Sequence, residues 1–397
     1  MTALLASEVE VVPLSSSQPP DGAVARRMGP LMVSVGTELV GRTIDCLGQP
    51  LDGAAPLSSR SIVPVFGRPA RVVDAVPGNR LTIGAMVYDL QRFIRAGTSL
   101  LATGRREVLH HILRHQVACG RIVIVANPFA TEPNHHATRR GDVRCIQVSA
   151  PPDATPAQCW LVPLTAMAIG EGLRDSGCEV VVALDDLDAW IPHATRPSTR
   201  AAPWETQLGQ LASRAYASHT GSVSLIAMTR RVSMARTAAF DETLDLDIAM
   251  SGDVPLTGTK RVVPPFRTPS VRLLGAALDL AEMRRRAEDA LALYPDRFDE
   301  GAREELARSS ALRECLRHRA SAPVDSLEQQ LSVMAVAHQR NIRSEDVVPF
   351  VNEFLTRVRR EHAVRLAKIR TVRALTADDE ETLLACAAEI RDAFGGS

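Results

Sequence analysis

The chain has 397 residues, 45% of them hydrophobic but only 4% aromatic, and its 46 basic and 46 acidic residues leave a formal net charge of zero. That length accommodates about two to three domains, and the charge balance excludes a global field drawing the chain onto nucleic acid or an anionic bilayer. Seven scattered cysteines without a Cys-x2-Cys pair, and a start without a basic stretch followed by an apolar run, read as a cytoplasmic chain without a signal sequence; no apolar run is long enough to span a bilayer.

Residues 1–30 are expected to form an N-terminal extension, with a short strand within 9–14 and a turn-rich linker from Ser15 to Gly22. Ordered structure opens at Val35, and Gly48 and Gly53 are placed for tight turns. From about residue 81 to 230 the pattern alternates. Helices are expected over 84–94, 107–116, 165–176 and 207–218, and strands over 99–103, 121–126, 143–148, 179–184 and 222–228. The strands are short, continuous apolar runs such as Ile122-Val123-Ile124-Val125-Ala126, the signature of a parallel sheet covered on both faces. From Leu278 the strands stop. Helical periodicity marks 280–293, 300–308, 326–339, 344–370 (broken near Arg360) and 377–394, with Thr376 as N-cap and Asp379 three residues on. The expected organisation is an α/β domain over 31–290 and an α-helical domain over 291–397.

The strand ending at Thr103, the turn Gly104-Arg105-Arg106 and the following helix form the setting of a phosphate-binding P-loop. Such a loop needs Gly-x4-Gly-Lys-Ser/Thr: backbone N–H groups cradle the phosphates, Lys pairs with them and the hydroxyl holds Mg²⁺. Here the loop has one glycine, no lysine and no hydroxyl at the helix start. The whole chain holds only two lysines, Lys260 and Lys368, and neither is followed by Ser or Thr. Ordinary P-loop ATP hydrolysis by this chain is therefore excluded. Arg105 and Arg106 are the charged substitutes in the loop, able to clamp phosphate weakly and without metal.

Val180 to Leu184 followed by Asp185-Asp186 has the form of a Walker B strand, whose terminal carboxylate faces the ligand crevice of an open α/β sheet. The competing reading is that Asp185 or Asp186 caps the next element. His111 and His115 stand at i, i+4 beside His110, a chelating spacing, but no third ligand is evident and His135-His136 has no tie to them; ordinary histidines are the stronger reading. Gly252 to Lys260 is a decoy P-loop, one residue too long and with its Thr before the Lys. Arg261, Arg267 and Arg272 lie in a proline-containing basic stretch.

The order of these segments resembles the alpha subunit of the rotary ATP synthase head, the non-catalytic partner in its alternating ring. The stretch from Val35 to Gly53 looks like the family's entry to the nucleotide domain, shared with catalytic beta subunits and export ATPases. Ser326-Leu327-Glu328-Gln329-Gln330-Leu331-Ser332-Val333 is similar to the alpha pattern Ser-x-x-Glu-Gln-Val-x-Val, and Leu278-Asp279-Leu280-Ala281-Glu282-Met283-Arg284 to Leu-Asp-Leu-Ala-Gln-Tyr-Arg.

The resemblance implies a RecA-like, P-loop-type parallel-sheet domain followed by an α-helical C-terminal domain, with the family's N-terminal β-barrel largely missing. It implies a part in ATP synthesis and proton or sodium ion transport, beside a beta-like catalytic subunit and a gamma-like central stalk. The complex would be peripheral at the inner face of the cell membrane, reached only through its other subunits, and without nucleic acid. The catalytic carboxylate of beta subunits would fall near Phe129. The implied cofactor is none, or weakly bound ATP or ADP at Gly104, Arg105, Arg106, Asp185 and Asp186; no metal is expected. Aligning the family's Arg-Pro-Ala-Ile-Asn-Val segment on Arg261 places its trans arginine finger on Arg272, a group worth about 10³-fold or more in rate to a neighbouring site. The alternative is a free-standing pseudo-ATPase, a scaffold or regulator that kept the fold without the ring. An active export-type ATPase is disfavoured by the missing lysine.

Overall fold

The computed structural model describes residues 3–4, 9–10, 14, 20–24, 26, 29–56, 61–67, 75–76, 78–85, 88–89, 94–128, 144–195, 202–247, 300–317, 326–339, 342–372 and 375–395. The chain divides into two compact units, Met1–Leu81 with Arg95–Leu246, and Thr82–Ile94 with Asp247–Ser397. The expected boundary at 290 lies outside the described residues, as do the helix expected over 280–293 and most of the one over 84–94.

In the first unit, strands β1 (Ala3–Leu4) and β2 (Val9–Glu10) pair with each other, and β3 (Met32–Val35) pairs antiparallel with β5 (Ser61–Pro64). The main sheet contains β4 (Thr43–Ile44), β6 (Ser99–Thr103), β7 (Ile122–Asn127), β8 (Cys145–Ser149), β9 (Glu179–Leu184), β10 (Tyr216–Ala217), β11 (Ser222–Thr229) and β12 (Glu242–Asp245). Its order is β12-β6-β11-β9-β7-β8-β4, parallel at every step, with β10 antiparallel to β11. All residues of β7 and β11 are buried, as continuous apolar runs in a covered parallel sheet require. The sequence placed β11 and β6 far apart in the chain; in space they are neighbours, with Leu225 opposite Ser99 and Thr229 opposite Thr103.

The helices of this unit are α1 (Arg106–Ala118), α2 (Pro156–Asp175), α3 (Leu187–Ala194), α4 (Trp204–Ala212) and α5 (Met234–Ala238). Helix α2 starts nine residues before the expected 165. Its start is a capping box: Thr155 N–H donates to Gln158 Oε1 at 2.8 Å, Gln158 N–H donates to Thr155 Oγ1 at 3.3 Å, and proline follows at the first helical position. The helix expected over 207–218 is also corrected. It ends at Ala212, because Tyr216 and Ala217 turn back onto Val223 and Ser222 as β10. Pairing with β11 outweighs the weak local helical preference of that segment.

Helix α2 lies close on the sheet. A Cβ built on Gly170 would meet Val223 Cγ2 at 2.9 Å and Val182 Cγ2 at 3.1 Å, and one on Gly172 would meet Val35 Cγ1 at 2.6 Å. Residues from both layers merge in one core around Ile124, Met167, Val182 and Leu225.

The second unit holds α6 (Glu300–Leu316), α7 (Ser326–His338), α8 (Val347–Glu361), α9 (Ala363–Val372) and α10 (Ala377–Gly395). The break expected near Arg360 falls at His362, whose φ of −119° and ψ of 26° end α8. Phe350 and Phe354, one turn apart and fully buried, stack with ring centroids 6.4 Å apart. The capping expected at Thr376 is present: Asp379 N–H donates to Thr376 Oγ1 at 3.2 Å, and Thr376 donates to Asp379 Oδ2 from its hydroxyl at 2.7 Å and its N–H at 3.2 Å. The molecule is thus a RecA-like parallel-sheet α/β unit with a helical C-terminal unit. Among the described residues no helix is long and apolar enough to cross a membrane.

Candidate functional site

Strands β6, β11 and β9 end side by side, so the turn after β6 and the carboxylates after β9 share the crevice where open α/β sheets bind ligands. Gly104 carries a φ of 105°, a left-handed conformation that a side chain would strain, and so permits the sharp turn out of β6. Arg105 is the N-cap of α1 and makes no capping hydrogen bond with its side chain. Thr103 at the strand end donates its hydroxyl to the Leu244 carbonyl at 3.4 Å.

Arg106, the first residue of α1, reaches across β11 to the end of β9. Its Nε is 3.0 Å from Asp185 Oδ1, an ion-pair approach without hydrogen-bond alignment. Its Nη2 donates to the Asp185 carbonyl at 3.3 Å and stands 3.8 Å from Asp186 Oδ2. Asp185 is 2% exposed, whereas the Arg106 side chain is 45% exposed. One turn along α1, His110 places Nε2 3.9 Å from the same Asp185 oxygen. Burial pushes the His110 pKa below the ordinary histidine value, Asp185 opposes that and Arg106 and Arg114 reinforce it.

Asp186 takes the capping role. It accepts the Ala189 N–H at 2.9 Å as N-cap of α3, and its other oxygen is 3.4 Å from Arg230 Nη2. Asp188 is a centre that sequence reasoning missed. It accepts the Arg230 N–H at 2.7 Å and the Thr229 hydroxyl at 3.1 Å, and it pairs with Arg236. Arg236 also donates to Thr229 Oγ1 and the Arg231 carbonyl, and lies 5.8 Å from the Trp204 ring centroid. Burial works to raise the Asp188 carboxyl, but these donors outweigh it and hold it below the usual carboxylate range. The only sequence signal was an acidic residue in the first turn of a helix.

His111 and His115 do not form a metal pair. Arg114 Nη2 stands 2.8 Å from His111 Nδ1, and His115 Nε2 is 3.5 Å from Cys119 Sγ. Among the described residues no three His, Cys, Asp or Glu side chains gather as metal ligands. His135, His136, Phe129, Gly252 to Lys260, Arg261, Arg267 and Arg272 lie outside the described residues.

A Mg²⁺–nucleotide does not fit the residues present. The first turn of α1 offers Arg106 and an acidic Glu107 instead of lysine and a hydroxyl, and the carboxylate that would hold the cation is engaged by Arg106.

Residues 276–390 match the family model of the ATP synthase alpha/beta chain, C-terminal domain. The ATP synthase subunit alpha 2 of Burkholderia pseudomallei (strain 1710b) is 32% identical over 177 residues, which is 42% of this chain and 27% of that protein. The protein of the same name in Gluconobacter oxydans (strain 621H) is 31% identical over 177 residues, 42% of this chain and 35% of its own length. Over part of its length, this chain is similar to ATP synthase alpha subunits. It spans only 27–35% of these two relatives.

The geometry also accounts for one residue of the alpha-like segment Ser326 to Val333. Glu328, 5% exposed on α7, accepts two hydrogen bonds from Arg359 of α8, at 2.9 and 2.5 Å, and one from Arg370 of α9 at 3.4 Å. That glutamate ties three helices of the C-terminal unit together.

Proposed function

We propose that this alpha-like chain is a non-catalytic subunit that partners a beta-like catalytic chain in a rotary ATPase coupled to proton or sodium ion transport. The observation that carries the non-catalytic role is the Arg106–Asp185 contact, which engages the carboxylate an ATP site would need for its cation. The alpha-subunit-like matches support the partner. In this role the chain supplies an interface to the beta-like subunit and a seat for the gamma-like stalk. Any nucleotide at Gly104, Arg105, Arg106, Asp185 and Asp186 is held weakly as ATP or ADP. The complex sits on the cytoplasmic face of the membrane through its other subunits.

Arg272 is the proposed trans arginine. A group that acts on transition-state charge changes turnover more than ground-state binding. In a complex reconstituted with the beta-like subunit, Arg272→Ala is expected to leave assembly intact and lower ATP turnover by about 10³-fold. Arg261→Ala and Arg267→Ala remove charge from the same stretch and serve as controls. Turnover no lower than in the controls rejects the finger. Failure of the wild-type chain to co-purify with any beta-like subunit rejects the ring and leaves the free-standing pseudo-ATPase scaffold as the reading.

A further inference from the structure

We propose that Arg106 is a built-in counter-ion, which stands in for a divalent cation at Asp185 and latches the turn after β6 to the end of β9. The inference holds whether or not the chain joins a ring, because it concerns contacts inside one unit.

A carboxylate as buried as Asp185, 2% exposed, needs a compensating positive charge. In a phosphate-binding sheet of this layout, a bound cation supplies that charge. Here α1 supplies it. The Arg106 guanidinium approaches the side chain of Asp185 through Nε and its backbone carbonyl through Nη2, so one planar group grips one residue twice. The two residues lie 79 positions apart in sequence, and the contact crosses over β11. His110 stands 3.9 Å from the same oxygen and is held towards its neutral form by burial, so it flanks the pair without replacing the arginine's charge. Asp186, Thr103 and Thr229, oxygen-bearing groups at these strand ends, are engaged with Ala189, Leu244 and Asp188 respectively. The latch thus fills from within the position that a ligand would otherwise organise.

The test uses the full chain and Mn²⁺ as probe, read by thermal unfolding and by the electron paramagnetic resonance of free Mn²⁺. Wild-type protein should unfold at the same temperature in EDTA and in millimolar MnCl₂. Arg106→Ala should unfold several degrees lower in EDTA, recover in MnCl₂ and bind Mn²⁺, since anything that binds only the folded state stabilises it. Adding Asp185→Asn to Arg106→Ala should abolish both the recovery and the binding. The proposal is overturned if Arg106→Ala is as stable as wild type, if Mn²⁺ does not act on it through Asp185, or if wild type already binds Mn²⁺ in an Asp185-dependent way. Should Arg106→Ala not fold, the pair Arg106→Met with Asp185→Met decides. Removing both charges should restore a folded chain, and a double variant no better than the single one rejects the counter-ion role.

Discussion

His110 shows how one buried side chain gives the fold a pH dependence. Around it stand Arg106, Glu107 and Arg114 of its own helix and Asp185 of the facing strand end, and burial is the largest influence on it. The folded state therefore binds fewer protons at this site than the unfolded chain, whose histidine titrates near the ordinary value. Stability is fully present above about pH 6.5 and falls as pH drops through that value towards the lower folded pKa. His111 shifts in the same direction, driven by burial and Arg114. Unfolding in urea from pH 7.5 to 5 should show a steeper loss for wild type than for His110→Asn, with the remaining slope reduced again on adding His111→Asn. Identical slopes for wild type and His110→Asn would remove His110 from the account. Asp188 makes the complementary case. Replacing Arg236 by Met strips a cation from a largely buried pair while leaving Asp188 the Arg230 N–H. The expected loss is about 2–3 kcal/mol, below the cost of a fully orphaned buried charge, measured by the same denaturation.

At the scale of elements, α10 and α2 carry separable predictions. Thr376 and Asp379 close the start of α10 reciprocally, and Asp379, with no exposed surface, also faces Arg365 and Lys368 of α9. Thr376→Ala should cost about 1 kcal/mol, the usual worth of an N-cap. Thr376→Ser should recover most of it, and a substitution that costs nothing would show that the α9 contacts alone hold the helix start. Gly170 argues against propensity. Alanine is the better helix former by about 1 kcal/mol, yet here its methyl would press on Val223 and Val182. We expect Gly170→Ala to destabilise by about 1 kcal/mol or more net, because overpacking a close helix–sheet contact outweighs the gain. A rise in melting temperature for this variant would mean that the two valines yield freely.

For the whole molecule, the parallel sheet and the latch together predict that stability does not depend on nucleotide. Calorimetry with Mg-ATP should give weak, metal-independent heat or none, and the isolated chain should show no steady ATP turnover. Tight, Mg²⁺-dependent binding would overturn this. In a complex with a beta-like subunit, turnover should belong to that subunit.

The sequence by itself determined the class of each element with a strong local signal. Continuous apolar runs gave β7 and β9, because a strand buried on both faces admits few polar residues, whereas β11 interrupts its apolar run with the buried Ser224. Thr376 with Asp379 marked the start of α10, because an N-cap is a contact three residues long. The absence of a lysine at the turn after β6 needed no coordinates. The tertiary structure decided what depends on distant residues. β10 exists only because β11 is there to pair with it, and the two-stranded β3–β5 sheet joins segments whose local patterns are too short to read. The fate of Asp185 was likewise open in the sequence, which allowed a cation ligand or a cap. The fold assigned the cap to Asp186 and brought Arg106, 79 positions earlier, onto Asp185. Charge compensation of a buried group is a property of three-dimensional proximity, and a linear pattern does not encode it.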